Sequence, residues 1–299
     1  MIDFHTPTLD DKDWIKARID ETVCPSCEYT FGNIFAYTAI MDIVVADYCG
    51  CLLTRCIYDG EVMYCYPVGN GDKKAGIEAI IEDAQGLGRS FIIFGITREF
   101  ADELEKNFPD KFTITFDRGG SDYIYSCQEL IALAGKRYQP KRNHISYFKK
   151  NFNWTYEKIS RDNIPDCIEM NRKWIEMSLV ERQEELYEEF EIINRVFENY
   201  EALDFVGGLI RVDGEVVAYT MGERMNGDTF CVHFEKAYSS YRGAYPMINR
   251  EFCANELSTY KLVDREDDLD VDNLRKAKLS YYPVLIKEEF EAELKNADR

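Results

Sequence analysis

The 299-residue chain has no long apolar run free of charge. Its most apolar region, residues 35–53, is broken by Asp42 and Asp47, and charges at such depth are costly in a bilayer, so no transmembrane helix is expected. A basic stretch followed by an apolar core is also missing at the N-terminus, which argues against a secretory leader and makes the cytoplasm the expected location. Positive charge is scarce: 36 Lys and Arg against 55 Asp and Glu give a net charge of −19. A field of that sign repels nucleic acid and anionic membranes unless cations are gathered in one place. The ten cysteines include no second CxxC, and no HxxxH completes a four-ligand zinc site, so no metal is expected. They read as reduced thiols and small core residues, and the one CxxC, Cys24-Pro-Ser-Cys27, as packing or a loop in preference to zinc or redox chemistry.

What remains is an ordinary globular composition, 45% hydrophobic and 30% charged, with length enough for two cores. Residues 10–20 suit a short helix, followed by a loop or second helix. Short runs rich in Val, Ile, Tyr and Cys over 41–48, 51–58 and 62–67 then predict a β-meander, with Tyr58-Asp-Gly-Glu61 as its last turn. An amphipathic helix over 73–87 is closed by Gly86 and Gly88; a strand over 91–96 and a helix over 98–108 follow, then strands over 112–116 and 123–126 on either side of Gly119-Gly120. The second half repeats this order: helices over 164–179 and 184–199, strands over 207–212, 216–225 and 229–236 with an Asn226-Gly227 hairpin turn, a helix over 246–257, a strand over 262–264, a helix over 271–280 and a strand near 284–286. The expected fold is α+β, one plan used in tandem: domains over 1–135 and 153–299, each a mixed, mainly antiparallel sheet flanked by helices, joined by a basic connector helix over 136–152.

Residues 130–156 contain Lys136, Arg137, Lys141, Arg142, Lys149 and Lys150 with no Asp or Glu. Two readings stay open: a solvated helix face bridging two domains, or a local anion site in an otherwise acidic molecule. In the strand over 229–236, alternation places Cys231, His233 and Glu235 on one face and Phe230, Val232 and Phe234 on the other. A carboxylate beside an imidazole in a cleft can take a proton from an amine or hydroxyl. The bland alternative is that Glu235 pairs with a nearby Lys or Arg and His233 is a satisfied core histidine. The strand leads into a turn with Arg242, Gly243 and Ala244 before a helix, where backbone N–H groups and the helix dipole favour phosphate. Arg265, Glu266, Asp267 and Asp268 close the strand over 262–264, and Asp267 or Asp268 is expected to orient Arg275 and Lys278 towards a ligand, although Asp268 also suits a helix N-cap.

Together, Lys141, Arg142, Asn143 and His144 with Phe148, the run Gly207–Glu215, Val232-His-Phe-Glu-Lys-Ala237, Gly243-Ala-Tyr-Pro-Met-Ile-Asn249 with Glu251-Phe252, and Arg265-Glu-Asp-Asp-Leu269 with Leu274-Arg-Lys-Ala-Lys278 and Ser280-Tyr281 resemble one signature. It is that of the phosphatidylglycerol lysyltransferase C-terminal-domain family in a stand-alone, soluble form, similar to the Fem aminoacyl transferases and their tandem GNAT folds. The resemblance implies a transferase moving an acyl or aminoacyl group from a carrier, a tRNA or a coenzyme A thioester, to the amine or hydroxyl of a small-molecule acceptor, with no tightly bound cofactor. By the same resemblance Glu235 deprotonates the acceptor, His233 shapes the pocket and Tyr281 protonates the leaving group. Lys141, Arg142, Arg242, Arg275 and Lys278, with Asn143, His144, Asn249 and Ser280 around them, hold the carrier or the acceptor's anionic group, and a tRNA acceptor stem would meet the basic patch between Lys136 and Lys150. The turn after the hairpin is where GNAT enzymes bind the coenzyme A pyrophosphate, and here only Arg242, Gly243 and Ala244 match that pattern. The rival expectation is a non-catalytic protein that keeps the tandem fold to hold a small ligand.

Overall fold

The computed structural model describes residues 2–22, 26–177 and 183–295. Cys24 of the CxxC pair and the expected end of the helix at residues 178 and 179 lie outside them. In chain order the elements are α1 (Lys12–Asp20), α2 (Phe31–Ala36), β1 (Asp42–Tyr48), β2 (Cys51–Tyr58), β3 (Glu61–Cys65), α3 (Lys73–Leu87), β4 (Phe91–Thr97), α4 (Arg98–Asn107) and β5 (Phe112–Ser126). There follow α5 (Cys127–Ala132), α6 (Gln139–Asn151), β6 (Trp154–Lys158), α7 (Ile164–Glu176), α8 (Gln183–Glu198), β7 (Val206–Val212), β8 (Glu215–Arg224), β9 (Thr229–Ala237), α9 (Ala244–Asn255), β10 (Leu262–Asp264), α10 (Asp272–Leu279) and β11 (Leu285–Leu294).

Two compact units share the chain. The first takes residues 1–122, 267–272 and 286–299, the second residues 123–266 and 273–285. In the first unit the strand order is β1-β2-β3-β4-β11-β5, antiparallel from β1 to β3 and between β4 and β11, and parallel between β3 and β4. In the second unit the end of β5 pairs antiparallel with β10, β10 runs parallel to β9, and β9, β8, β7 and β6 form an antiparallel meander. Each unit therefore carries a hairpin-built meander with one parallel pair, an α+β sheet with helices against it. The local signals explain the boundaries. Gly88 ends α3 in the left-handed conformation (φ 65°), Thr97 caps α4 through its hydroxyl, and Asn226 Oδ1 accepts from Asp228 N and Thr229 N to close the β8–β9 turn.

Three places depart from expectation. β5 is one strand and not two, because Gly119 and Gly120 stay extended within it. A Cβ at Gly119 would come within 2.9 Å of Asp270 Oδ2, and one at Gly120 within 2.5 Å of Asp117 Oδ2, so these glycines serve close packing. α5 and β6 are additional elements, and β11 is ten residues long, its Phe290 and Ala292 buried between charged neighbours.

In the second unit α9 lies against β7, β8 and β9, with α5 and α6 packed on it, while α7 lies against β8 and beside α8. Phe252 of α9 meets Phe230 of β9 edge-on at 5.8 Å. Burying such a ring contributes about 1.5–3 kcal/mol, and this packing makes the α9 side of the sheet a rigid floor for whatever polar groups lie on it.

Candidate active site

The site is set by a bulge in β9. Phe230, Cys231 and Val232 pair with Arg224, Glu223 and Gly222, but Phe234, Glu235 and Lys236 pair with Met221, Thr220 and Tyr219. His233 is thus the extra residue, and alternation is inverted beyond it. Gly222 permits this, since a Cβ there would collide with the Cys231 carbonyl. The expectation that Cys231, His233 and Glu235 share a face is corrected accordingly. Glu235 points to α9, where Asn249 meets it, whereas Lys236 reaches Glu189 of α8 at 2.6 Å and His233 stacks on Phe205 at 5.5 Å.

On the α9 face, Glu235 is bound through both oxygens: Arg265 Nη2 donates to Oε1 at 2.9 Å and Asn249 Nδ2 to Oε2 at 3.3 Å. Arg265 reaches it because β10 stays beside β9 only along Leu262–Asp264, opposite Thr229, Phe230 and Cys231, after which β9 runs on without it. The guanidinium lies 4.9 Å from the Tyr281 ring centre and 5.6 Å from that of Tyr125. Lys141 of α6 stands 3.7 Å from the Tyr281 ring centre and donates to Ser280 Oγ at 2.6 Å. The frame is held by backbone acceptors: Lys278 Nζ donates to the Arg265 carbonyl at 2.6 Å, Tyr125 Oη to the Lys278 carbonyl at 2.8 Å and Tyr138 Oη to the Tyr281 carbonyl at 2.9 Å. Two polar atoms here are buried without a hydrogen-bond partner, Arg265 Nη1 and Asn249 Oδ1. Buried polar atoms are ordinarily paired, so an orphaned donor and acceptor in one group mark a place for a ligand.

The electrostatics fit that arrangement. Burial, and then the Arg265 charge, bring Lys141 down to about 8 against an opposing pull from Glu235. Burial lifts the Tyr281 phenol above its ordinary range despite Arg265, so it stays protonated at neutral pH. Burial presses hardest on Arg265, towards the neutral form, but Glu235 with Tyr125, Tyr281 and Cys253 together outweigh it and hold the guanidinium charged.

The remaining expected residues are dispersed. Arg142 donates to the carbonyls of Leu133 and Gly135, and Asn143 Oδ1 accepts from Gln139 on the exposed side of α6. Gly243 has φ 96°, and a Cβ on it would run into the His144 carbonyl, while Arg242 lies over the Tyr147 ring at 4.7 Å. The turn is therefore shaped by α6. Lys278 is taken up by the Arg265 carbonyl, and Arg275 is half-buried in α10. Asp268 is fully buried in the first unit, paired with Arg118 at 3.2 Å and accepting from Asp270 N, and Asp267 belongs to that unit too. Tyr125 and Cys253, which add to the surroundings of Arg265, carry no motif that would single them out; only the fold brings them there.

On the opposite face of β9, His233 Nδ1 lies 2.7 Å from Glu266 Oε1 and Nε2 lies 3.4 Å from Glu223 Oε1. Its burial disfavours the imidazolium, but these two carboxylates prevail and raise it to about 10. Cys231 Sγ stands 3.7 Å from Nδ1 and 3.8 Å from Glu266 Oε1.

The relatives agree with this architecture. A conserved protein of unknown function from Bacteroides thetaiotaomicron is 37% identical over 99% of this chain and 100% of that one, with a TM-score of 0.94. L-PGS from Bacillus licheniformis is 14% identical over 96% and 93% of the two chains (TM-score 0.66), and a tandem GNAT protein from the clavulanic acid biosynthesis pathway is 11% identical over 100% of both (TM-score 0.54). At such identities the last two share the fold, and the fold of this chain is that of the tandem GNAT proteins. An uncharacterised protein of Mycoplasmoides gallisepticum is 25% identical over 177 residues, 56% of this chain and 54% of that protein, so the match spans about half of that relative's length. No helix among the described residues is long and apolar enough to cross a membrane. The family model described as phosphatidylglycerol lysyltransferase, C-terminal, matches residues 24–292, and the chain belongs to that family.

Proposed function

We propose that the second unit transfers an aminoacyl group from an aminoacyl-tRNA to the amine or hydroxyl of a small acceptor. The observation that carries this reading is the largely buried Glu235, Arg265 and Asn249 group beside Tyr281 and Lys141, with one guanidinium nitrogen and one amide oxygen unengaged. Glu235 takes the proton from the acceptor as its nitrogen or oxygen attacks the ester carbonyl. Arg265 Nη1 donates to the carbonyl oxygen as charge builds there, and Tyr281 gives its proton to the departing ribose oxygen. The carbon–oxygen ester bond breaks, the new acyl bond forms, and the proton on Glu235 returns to Tyr281 through water.

Two features favour tRNA over coenzyme A as the donor. Gly243 and Arg242, two of the residues that match a pyrophosphate turn, are engaged by the packing of α6. The exposed edge of α6 carries Lys149 and Lys150, with Lys136 and Arg137 just before it, where an acceptor stem would lie, although Arg137 and Lys149 already pair with Glu129 and Glu251. The family to which the chain belongs adds weight, since its name is that of a lysyl transfer.

The second reading is a non-catalytic pocket for a small anionic ligand. It is favoured by the engagement of both Glu235 oxygens, which uses the carboxylate to position Arg265. Radiolabelled aminoacyl-tRNA incubated with the protein and a panel of amines and alcohols separates the two, with acetyl-coenzyme A as a parallel donor. Transfer should occur from the tRNA and fall roughly 10²–10⁴-fold in Glu235→Gln with the fold retained. Absence of acceptor-dependent transfer from either donor would leave the binding reading.

A further inference from the structure

We propose that Cys231, His233 and Glu266 form a binding site for a zinc-class divalent cation, on the face of β9 turned away from Glu235. Three potential ligand atoms of three kinds, a thiol sulfur, an imidazole nitrogen and a carboxylate oxygen, lie within 4.8 Å of one another. Zinc bonds of about 2.3 Å to sulfur and about 2.0–2.1 Å to nitrogen and oxygen at tetrahedral angles put sulfur roughly 3.5 Å from its neighbours. The sulfur distances of 3.7 Å to His233 Nδ1 and 3.8 Å to Glu266 Oε1 are close to that spacing before any ion draws the groups inward. The Nδ1–Glu266 separation of 2.7 Å is a hydrogen bond, and it would open by roughly 0.6 Å as the metal replaced the shared proton.

The second ring nitrogen is an independent sign. Nε2 faces Glu223, whose side chain is 1% exposed and which lies opposite Cys231 on β8. Histidines that ligate metals commonly donate their other N–H to a carboxylate, which fixes the ring and raises its basicity. A histidine wanted only as an ion-pair partner needs one carboxylate; here two carboxylates and a thiol converge on a ring that is 1% exposed. Sulfur and nitrogen donors select zinc and its borderline neighbours over magnesium or calcium, which prefer oxygen. Glu266 remains 25% exposed, so a water molecule can complete the coordination. Binding releases the thiol proton and the Nδ1 proton and leaves the Nε2 proton facing Glu223 across 3.4 Å.

The bulge gives the site its place in the fold. His233 is the residue expelled from the β8–β9 ladder, and Glu266 is the first residue after Arg265, which holds Glu235 on the other face. A cation here would fasten the bulge to the segment leaving β10 and fix the approach of Arg265. The site stands apart from the transfer chemistry, because its readout is the metal itself.

Full-length protein dialysed against chelator and titrated with cobalt(II) tests it. One equivalent should produce the ligand-field absorption of a tetrahedral ion together with a thiolate charge-transfer band, and added zinc should displace both. Cys231→Ser should abolish the charge-transfer band, Glu223→Gln should weaken affinity about 10–100-fold, and Cys49→Ser, at an exposed thiol, should change nothing. If Cys231→Ser fails to fold, Glu266→Gln, at a partly exposed position, decides the matter by weakening cobalt binding at least tenfold. Lack of a one-to-one spectrum in the wild-type chain, or a spectrum unchanged in both Cys231→Ser and Glu266→Gln, overturns the proposal.

Discussion

The two units use the same parallel pair to opposite ends. In the first, β3 stays beside β4 from Val62 to Cys65, and Tyr66 N still donates to the Phe94 carbonyl, so the next side chain is core: Tyr66 stacks on Phe100 at 4.7 Å. In the second, β10 accompanies β9 for three residues and then leaves it, and the unzipped stretch carries Glu235 and receives Arg265. Their buried acids differ in kind as well. Glu235 has a guanidinium, whereas Glu28, Asp122 and Glu289 of the first unit gather around Cys27 and one another. Burial, and then the Asp122 charge, raise Glu28 to about 7, and Glu289 is pushed well up by burial and by both neighbours, with Lys287 offsetting this only in part. A parallel pair that stays closed yields core, and one that parts yields room for paired charge. A buried acid keeps its charge when a cation shares its burial and is pressed towards the neutral form when other acids do.

The comparison can be broken most severely at Arg265. Arg265→Leu leaves the largely buried Glu235 without its cation, and chemical denaturation should show a loss of about 3–5 kcal/mol. The double variant Glu235→Leu/Arg265→Leu should recover most of that stability while remaining inactive in transfer, which would separate the pair's structural from its chemical part. Next in size is Gly243→Ala, about 2–3 kcal/mol, since the alanine would meet both a left-handed backbone and the His144 carbonyl. Gly214→Ala, at φ 91° with open space around it, should lose about 1 kcal/mol, and a differential melting experiment on the two reads the contribution of the α6 contact alone. A separate, pH-dependent effect concerns Glu28. Its pKa rises from 4.5 to about 7 on folding, so the stability it contributes is complete below 4.5 and is lost as pH climbs through 7. Glu28→Gln should flatten the stability profile over that window by up to about 3 kcal/mol, and an unchanged slope would mean its neighbours do not press on it.

Much of the fold was legible because it rests on local chemistry. Gly88, Asn226-Gly227 and the apolar periodicity of α3 and α8 mark their elements directly. The basic run holds helix α6, and Glu235 does pair with an arginine, Arg265, as the plainer reading of its strand had it. What escaped was non-local. No residue pattern in Phe230–Glu235 announces the bulge; its cause, Gly222, lies on the partner strand. The Arg265 to Asp268 run reads as one charged patch, yet its members serve Glu235, His233 and Arg118 in turn, and Asp267 and Asp268 belong to the first unit. Glycines at 119 and 120 signal a turn by propensity, but the packing of Asp117 and Asp270 sets them in mid-strand.

The assignment of β11 to the first unit bears on synthesis. β4 ends at Thr97 and its neighbour β11 begins at Leu285, so more than half of the polypeptide separates two adjoining strands. A nascent chain emerging from the ribosome would have every strand of the second unit available before that last partner of β4 is made. The N-terminal unit is thus the later one to complete, and until then one edge of β4 has no strand to pair with.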